Sequence, residues 1–157
     1  MKRRVICILI FCIVMVIGFG TVVQAASSLN LDKAKIMIAA AEKKSIEINV
    51  PMVITVVDEG GNLIIQERMD GALLASIAIS RGKAYTAVAL KMPTEKLANL
   101  TQPTQPLFGI NTIDDRFVIF GGGLPIVENG RIIGGIGVSG GSVEEDIAVV
   151  TAGLSAW

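Results

Sequence analysis

Proton-transfer chemistry in this chain falls to carboxylates, lysines and one tyrosine. Its 157 residues include no histidine, and both cysteines, Cys7 and Cys12, lie in an apolar run near the N-terminus. The commonest general base and metal ligand is therefore absent. Asp70, Lys83, Tyr85 and Glu145 are the candidate acids and bases, although no nucleophile–base pair can be read from their spacing. Asp58, Glu59, Glu67, Arg68, Asp70, Arg81 and Lys83 gather around one hairpin and the helix after it. Exposed ion pairs, at roughly 0–1 kcal/mol each, would account for many of them. Arg68 and Asp70 stand out because they close a strand. Arg81 falls on the apolar stripe of its helix, a placement that calls for a buried partner or an anionic ligand. Tyr85, on the same stripe, reads better as a core ring with a locally satisfied hydroxyl. Glu144, Glu145 and Asp146 suit a helix first turn without any metal. No spacing of oxygen donors points to a cation site.

Those residues need elements to hold them. Residues 121–142 carry two apolar runs flanking Asn129-Gly130, the dipeptide that closes a two-residue hairpin. Ser142 and Glu145 then form a capping-box pattern that starts a terminal helix. Gly135, Gly137 and Gly140 match G-x-G-x-x-G in form. The nucleotide reading fails because the fingerprint also needs a second parallel strand with an acidic residue about twenty residues on. The glycines instead predict a sheet that another backbone or a flat ligand approaches closely. Upstream, Leu31, Ala34, Ile38, Ala41 and Ile48 mark an amphipathic helix capped by Asn30 and closed before Pro51. Met52–Val57 and Leu63–Met69 predict two strands around the Asp58–Asn62 turn. Leu74, Ile77, Ala78, Arg81, Tyr85 and Val88 predict one face of a helix running to about Lys91, followed by a short helix capped by Thr94. Thr101–Arg116 is a proline-bearing loop long enough to suggest function. Phe117–Phe120, Leu124–Glu128 and Arg131–Val138 complete five strands. This order predicts an α+β single domain, an antiparallel sheet flanked by helices.

Lys2, Arg3 and Arg4 precede an apolar run from Val5 to Val23, and Val23-Gln24-Ala25 suits signal-peptidase cleavage. Residues 1–25 read as a secretory signal and 26–157 as one domain, secreted or periplasmic. Retention of the run as a membrane anchor is the alternative. Without the signal, eleven Lys and Arg face 14 Asp and Glu, a net charge of −3. No basic patch remains, so nucleic acid is not an expected partner.

Five ordered blocks carry a family resemblance: Val56–Leu63, Glu67–Ala72, Ser80–Ala87, Met92–Thr94 and Gly121–Asp146. The chain resembles the GlcG/HbpS-like haem-binding family, which includes the C-terminal domain of PduO-type cobalamin proteins. The resemblance implies a five-stranded antiparallel sheet and a homo-oligomer, often an octamer. Members associate with haem or other tetrapyrroles, and a secreted member is linked to haem-dependent redox sensing. One relative resembles a lyase of hydroxylaminobenzoate, so an enzyme on a small aromatic or hydroxylated substrate is the alternative, and a ligand-free structural or sensor module a third reading. In many relatives the first turn reads Asp-x-Gly-Gly-His, with the histidine implicated in haem ligation in the cobalamin-protein branch. Asn62 stands at that position here. If haem binds, the resemblance places Asn62, Arg68, Arg81, Lys83 and the 101–123 region, which includes Arg116, near it. Met69, Met92 and Tyr85 are the iron-ligand candidates by residue type.

Overall fold

The computed structural model describes residues 29–157. The expected signal segment, with Cys7 and Cys12, lies outside the described residues. The elements in chain order are α1 (Leu31–Glu47), β1 (Val53–Asp58), β2 (Leu63–Arg68), α2 (Ser76–Ala89), α3 (Thr94–Leu100), a 3-10 turn (Ile110–Thr112), β3 (Gly123–Glu128), β4 (Arg131–Ser139) and α4 (Val143–Ser155). Among the described residues, one antiparallel sheet runs in the order β2-β1-β4-β3. The domain is α+β, as expected, but the sheet has four strands and not five.

Phe117–Phe120 is the missing strand. Its residue types suit a ladder, yet the Val118 amide donates to the Thr86 hydroxyl of α2 at 2.9 Å and the Phe117 amide to the Asp114 carbonyl. A helix side chain and a local turn have taken the bonds a neighbouring strand would have supplied. The expected cap of α3 also shifts by one residue. Pro93 stands at the N-cap, and the buried Thr94 hydroxyl instead accepts from the Gly123 amide at 2.9 Å, anchoring the start of β3. Other caps form where the sequence places them. Asn30 accepts from the Lys33 amide, and Ser142 and Glu145 complete their capping box.

The two faces of the sheet are built differently. On one, α1 and α4 close over Ile54, Val56, Ile136 and Val138, with Met37, Ala41 and Val149 fully buried between the layers. Each large apolar side chain there contributes about 1.5–3 kcal/mol by leaving water. The other face carries α2 on a floor of small residues. A Cβ on Gly137 would stand 2.2 Å from the Ser80 carbonyl oxygen and 2.5 Å from the Ala84 amide nitrogen, so helix and strand backbones nearly touch. Side chains in this layer are largely polar. Thr55 and Ser80 share a hydrogen bond at 2.8 Å, Gln66 donates to the Thr55 hydroxyl and to the Ile77 carbonyl at 2.8 Å, and Ser139 meets Ser76 at 3.0 Å.

This polar layer turns α2 over relative to the sequence expectation. Ser76, Ser80, Lys83, Ala84 and Ala87 face the sheet, while Leu74, Ala78 and Arg81 are exposed and Ile77 and Tyr85 are half-buried; Val88 is buried as expected, against Val57. Among the described residues no helix is long and apolar enough to cross a membrane.

Candidate functional site

Turning α2 outward opens a cleft of about 690 Å³ between that helix, the β1–β2 turn and the segment ending at Val118. Its size lies within the roughly 300–1,000 Å³ common for small-molecule sites. Ile77, Ala78, Ile79 and Val118 give it apolar walls. Arg81 and Arg116 bring two cations, and Asp115 one carboxylate. Gln66 fixes the floor through the bonds that tie β2 to α2.

Tyr85 is the hinge of the arrangement. Its ring packs over Gly61 and stacks on Phe117 with centroids 6.0 Å apart. The Arg116 guanidinium lies 4.0 Å from the Tyr85 ring centroid, a cation–π contact. The Tyr85 hydroxyl donates to Asp114 at 3.0 Å, and Asp114 accepts two bonds from the Arg116 fork, at 2.9 and 2.7 Å. Arg116 is thus aimed by a carboxylate and an aromatic ring while its side chain stays 61% exposed, open to a ligand. Loss of solvation, then donation to Asp114, raises the Tyr85 pKa. The Arg116 side chain and amide hold Asp114 well below the usual carboxylate range. A group whose folded pKa is depressed stabilises the native state above its unfolded pKa and loses that contribution as pH falls through the folded value. The Asp114–Arg116 pair is therefore expected to persist below the ordinary aspartate pKa of 3.8. Carboxyl-carbon NMR should find Asp114 titrating well under 3.8 and returning toward it in Arg116→Ala. An ordinary midpoint in the unsubstituted protein would show that the fork is not held.

The other residues singled out from the sequence are distributed differently. Asn62 is exposed and turned back on Asp58, its side-chain nitrogen 3.1 and 3.2 Å from the two carboxylate oxygens. Burial alone would raise the Asp58 pKa, but hydrogen bonds from Asn62 and Gly60 outweigh it and hold the group low. Asn62 is thus part of a locked turn and lies outside the cleft lining. Met69 packs against the core with its sulfur 3.1 Å from the Ser45 hydroxyl, and Met92 sits half-buried beyond the end of α2. Arg68 and Asp70 are exposed and are not among the residues lining the cleft. Glu145 is engaged in its capping box.

Lys83 faces the other way from Tyr85. It is fully buried, with its ammonium 2.5 Å from Asp146 and 2.9 Å from the Val138 carbonyl, over the ring of Phe120. Asp146 also accepts from the Gly141 amide at 3.1 Å. Burial pushes Lys83 down and Asp146 up, and their mutual attraction opposes both shifts. The pair ties α2 to the start of α4 and presents no group to the cleft. Of the four acid–base candidates, only Tyr85 lines it. Gln66 and Ile79 were not singled out from the sequence, and Val118 entered only as part of the 101–123 region. For Ile79 the signal that could have found it is the Ser76, Ser80, Lys83, Ala87 stripe, which marks the inward face of α2; Gln66 on β2 and Val118 carry no comparable local signal.

The family model of haem-degrading, HbpS-like proteins matches residues 29–155. The chain belongs to the HbpS-like family. It is 45% identical over 135 residues to a 15.0 kDa protein of the dhaT–dhaS intergenic region of Citrobacter freundii, covering 85% of this chain and 95% of that one. It is 37% identical over 134 residues to the corrinoid adenosyltransferase PduO of the same organism, again covering 85% of this chain but only 40% of the relative. Two solved structures superpose on this HbpS-like domain. Klebsiella pneumoniae ORFY has a TM-score of 0.82 at 41% identity, covering 88% of this chain and 97% of that one. The PduOC:heme complex has a TM-score of 0.81 at 35% identity, covering 83% and 96%.

Proposed function

We propose that this HbpS-like chain binds haem or a related tetrapyrrole in the cleft along α2. The observation that carries the reading is the joining of apolar walls, for a flat ring, with two guanidiniums, for ring carboxylates, in a chain whose relative PduOC is known as a haem complex. Arg81 and Arg116 would hold the carboxylates, and Ile77, Ile79 and Val118 the ring. Guanidinium groups suit that task because their planar forks match carboxylates. The ligand would supply its own redox chemistry; the residues here bind and orient it.

The proposal extends to an exported homo-oligomer in haem handling or redox sensing, secreted or periplasmic, with residues 1–25 removed. The basic–apolar–small pattern of the N-terminus supports export. Subunit association is supported by large apolar side chains left in water, including Leu74 at 78% and Ile113 at 82% exposure. Light scattering after size exclusion should return a multiple of the subunit mass, an octamer being the family expectation; a monomer at micromolar concentration would remove the assembly part.

Haemin titration tests the ligand. Saturable binding with a shifted Soret band is expected, weakened by about 10–100-fold in Arg81→Ala/Arg116→Ala as charge-assisted bonds are lost. Unaltered affinity in that variant would place the ligand elsewhere. No Soret shift at all would end the haem reading and turn attention to small aromatic substrates.

A further inference from the structure

We propose that this cleft selects a tetrapyrrole by its ring and carboxylates and not by its metal, so that an iron-free porphyrin binds as well as haemin. The inference rests on the tetrapyrrole reading above and narrows it. Protein donors to haem iron are histidine, thiolate, methionine or tyrosine side chains. Of these types, only Tyr85 lines the cleft. Its hydroxyl already donates to Asp114 at 3.0 Å, and Asp114 is fastened in turn by the Arg116 fork. Turning the phenol oxygen into an iron ligand would remove its proton beside a carboxylate, an arrangement that opposes the phenolate. Met69 is committed to the core beneath β1, its sulfur accepting from the Ser45 hydroxyl and the Met52 amide. Met92 lies outside the cleft, and Asn62 is fastened to Asp58.

What the cleft does offer is indifferent to the metal. Apolar side chains recognise any planar macrocycle, and two guanidiniums recognise any pair of carboxylates. Asp115, the one acid in the lining, disfavours a ligand with negative charge placed at random and sharpens the demand that carboxylates meet Arg81 and Arg116. The ligand class is a planar or near-planar tetrapyrrole dicarboxylate, with or without a central ion.

The test titrates the purified chain with haemin, metal-free protoporphyrin IX, and deuteroporphyrin IX beside its dimethyl ester, following Soret absorbance and porphyrin fluorescence anisotropy. The free base is expected to bind within about tenfold of haemin, and esterification to weaken binding by about tenfold or more. A free base weaker than haemin by more than tenfold overturns the inference while leaving haem binding intact, and would mean that the protein, or a second copy of it, supplies an iron ligand. A tyrosinate charge-transfer band in bound haemin that vanishes in Tyr85→Phe overturns it as well. Equal affinity for acid and ester removes the carboxylate half of the argument. Failure of every porphyrin to bind removes the tetrapyrrole reading itself and this inference with it.

Discussion

Lys83→Ala is expected to destabilise the fold by about 3–5 kcal/mol, because it leaves the Asp146 carboxylate buried without its counter-charge. Lys83 and Asp146 side chains are 0% and 4% exposed, so water cannot take the place of either partner. The loss should appear in urea denaturation as a lower midpoint at unchanged slope, and in heating as a fall on the order of 10–20 °C. Removing both charges together, as in Lys83→Met/Asp146→Leu, should recover most of that loss. An apolar pair of similar volume escapes the cost of desolvating two ions, which often matches or exceeds their attraction. The double variant separates two accounts of Lys83. If it regains stability and still binds porphyrin, the lysine is a tie between α2 and α4; if it is stable but no longer binds, the ammonium has a part in the site. A loss below about 1 kcal/mol in Lys83→Ala would mean that the pair behaves like a surface bridge.

Gly137→Ala should also be strongly damaging, for a different reason. The added Cβ would meet the Ser80 carbonyl oxygen at 2.2 Å and the Ala84 amide nitrogen at 2.5 Å. Both are backbone atoms of α2, so no side-chain rotation relieves the clash. Either α2 lifts from the sheet or β4 bends away from it. Overpacking of this kind costs about 1–3 kcal/mol and more where the backbone must move, and the upper end is expected here. Lifting α2 would also strain the Gln66 and Ser80 bonds under the cleft, so porphyrin affinity should fall alongside stability. Gly130→Ala is the contrast. Its φ of 75° carries strain but its Cβ would meet open space, and a cost nearer 1 kcal/mol is expected. Equal effects in the two variants, measured by denaturation, would contradict close approach as the role of Gly137.

Much of the scaffold was legible because its signals are local. Asn129-Gly130 closes its hairpin with φ of 51° and 75°, Asn30 and Ser142 cap their helices, and the β1–β2 hairpin turns at Asp58–Asn62. Each depends on residues within a few positions of one another. Phe117–Phe120 misled for the complementary reason. Its β-branched and aromatic content is local, but a strand exists only if a partner ladder is free, and Thr86 of α2 had taken the amide that mattered.

The helix α2 misled most instructively. A stripe of Leu74, Ile77, Tyr85 and Val88 normally marks the buried face, and of these only Val88 is buried, against Val57 and Ala84. Here the sheet beneath is floored by Gly135 and Gly137, which admit a backbone but offer little apolar surface to cover. Serines, threonines and the Lys83 ammonium can enter that layer because Thr55, Gln66, Ser139 and Asp146 satisfy them. Those partners lie far away in the chain and cannot be seen from the helix alone. The same inversion moved Tyr85 from the expected core to the cleft wall and Arg81 to its rim.

Sequence by itself determined the residue chemistry available, the α+β class, and the turns and caps, since composition and short-range hydrogen bonding suffice for these, and its five ordered motif blocks carried the family resemblance. Tertiary structure alone decided which face of α2 looks outward, that Lys83 is buried in an ion pair, that Asn62 is fastened to its own turn, and that Arg81, Arg116 and Tyr85 share one cleft. Those outcomes depend on which distant groups remain to satisfy a buried donor or acceptor once the sheet has formed, and that is settled only when the layers pack.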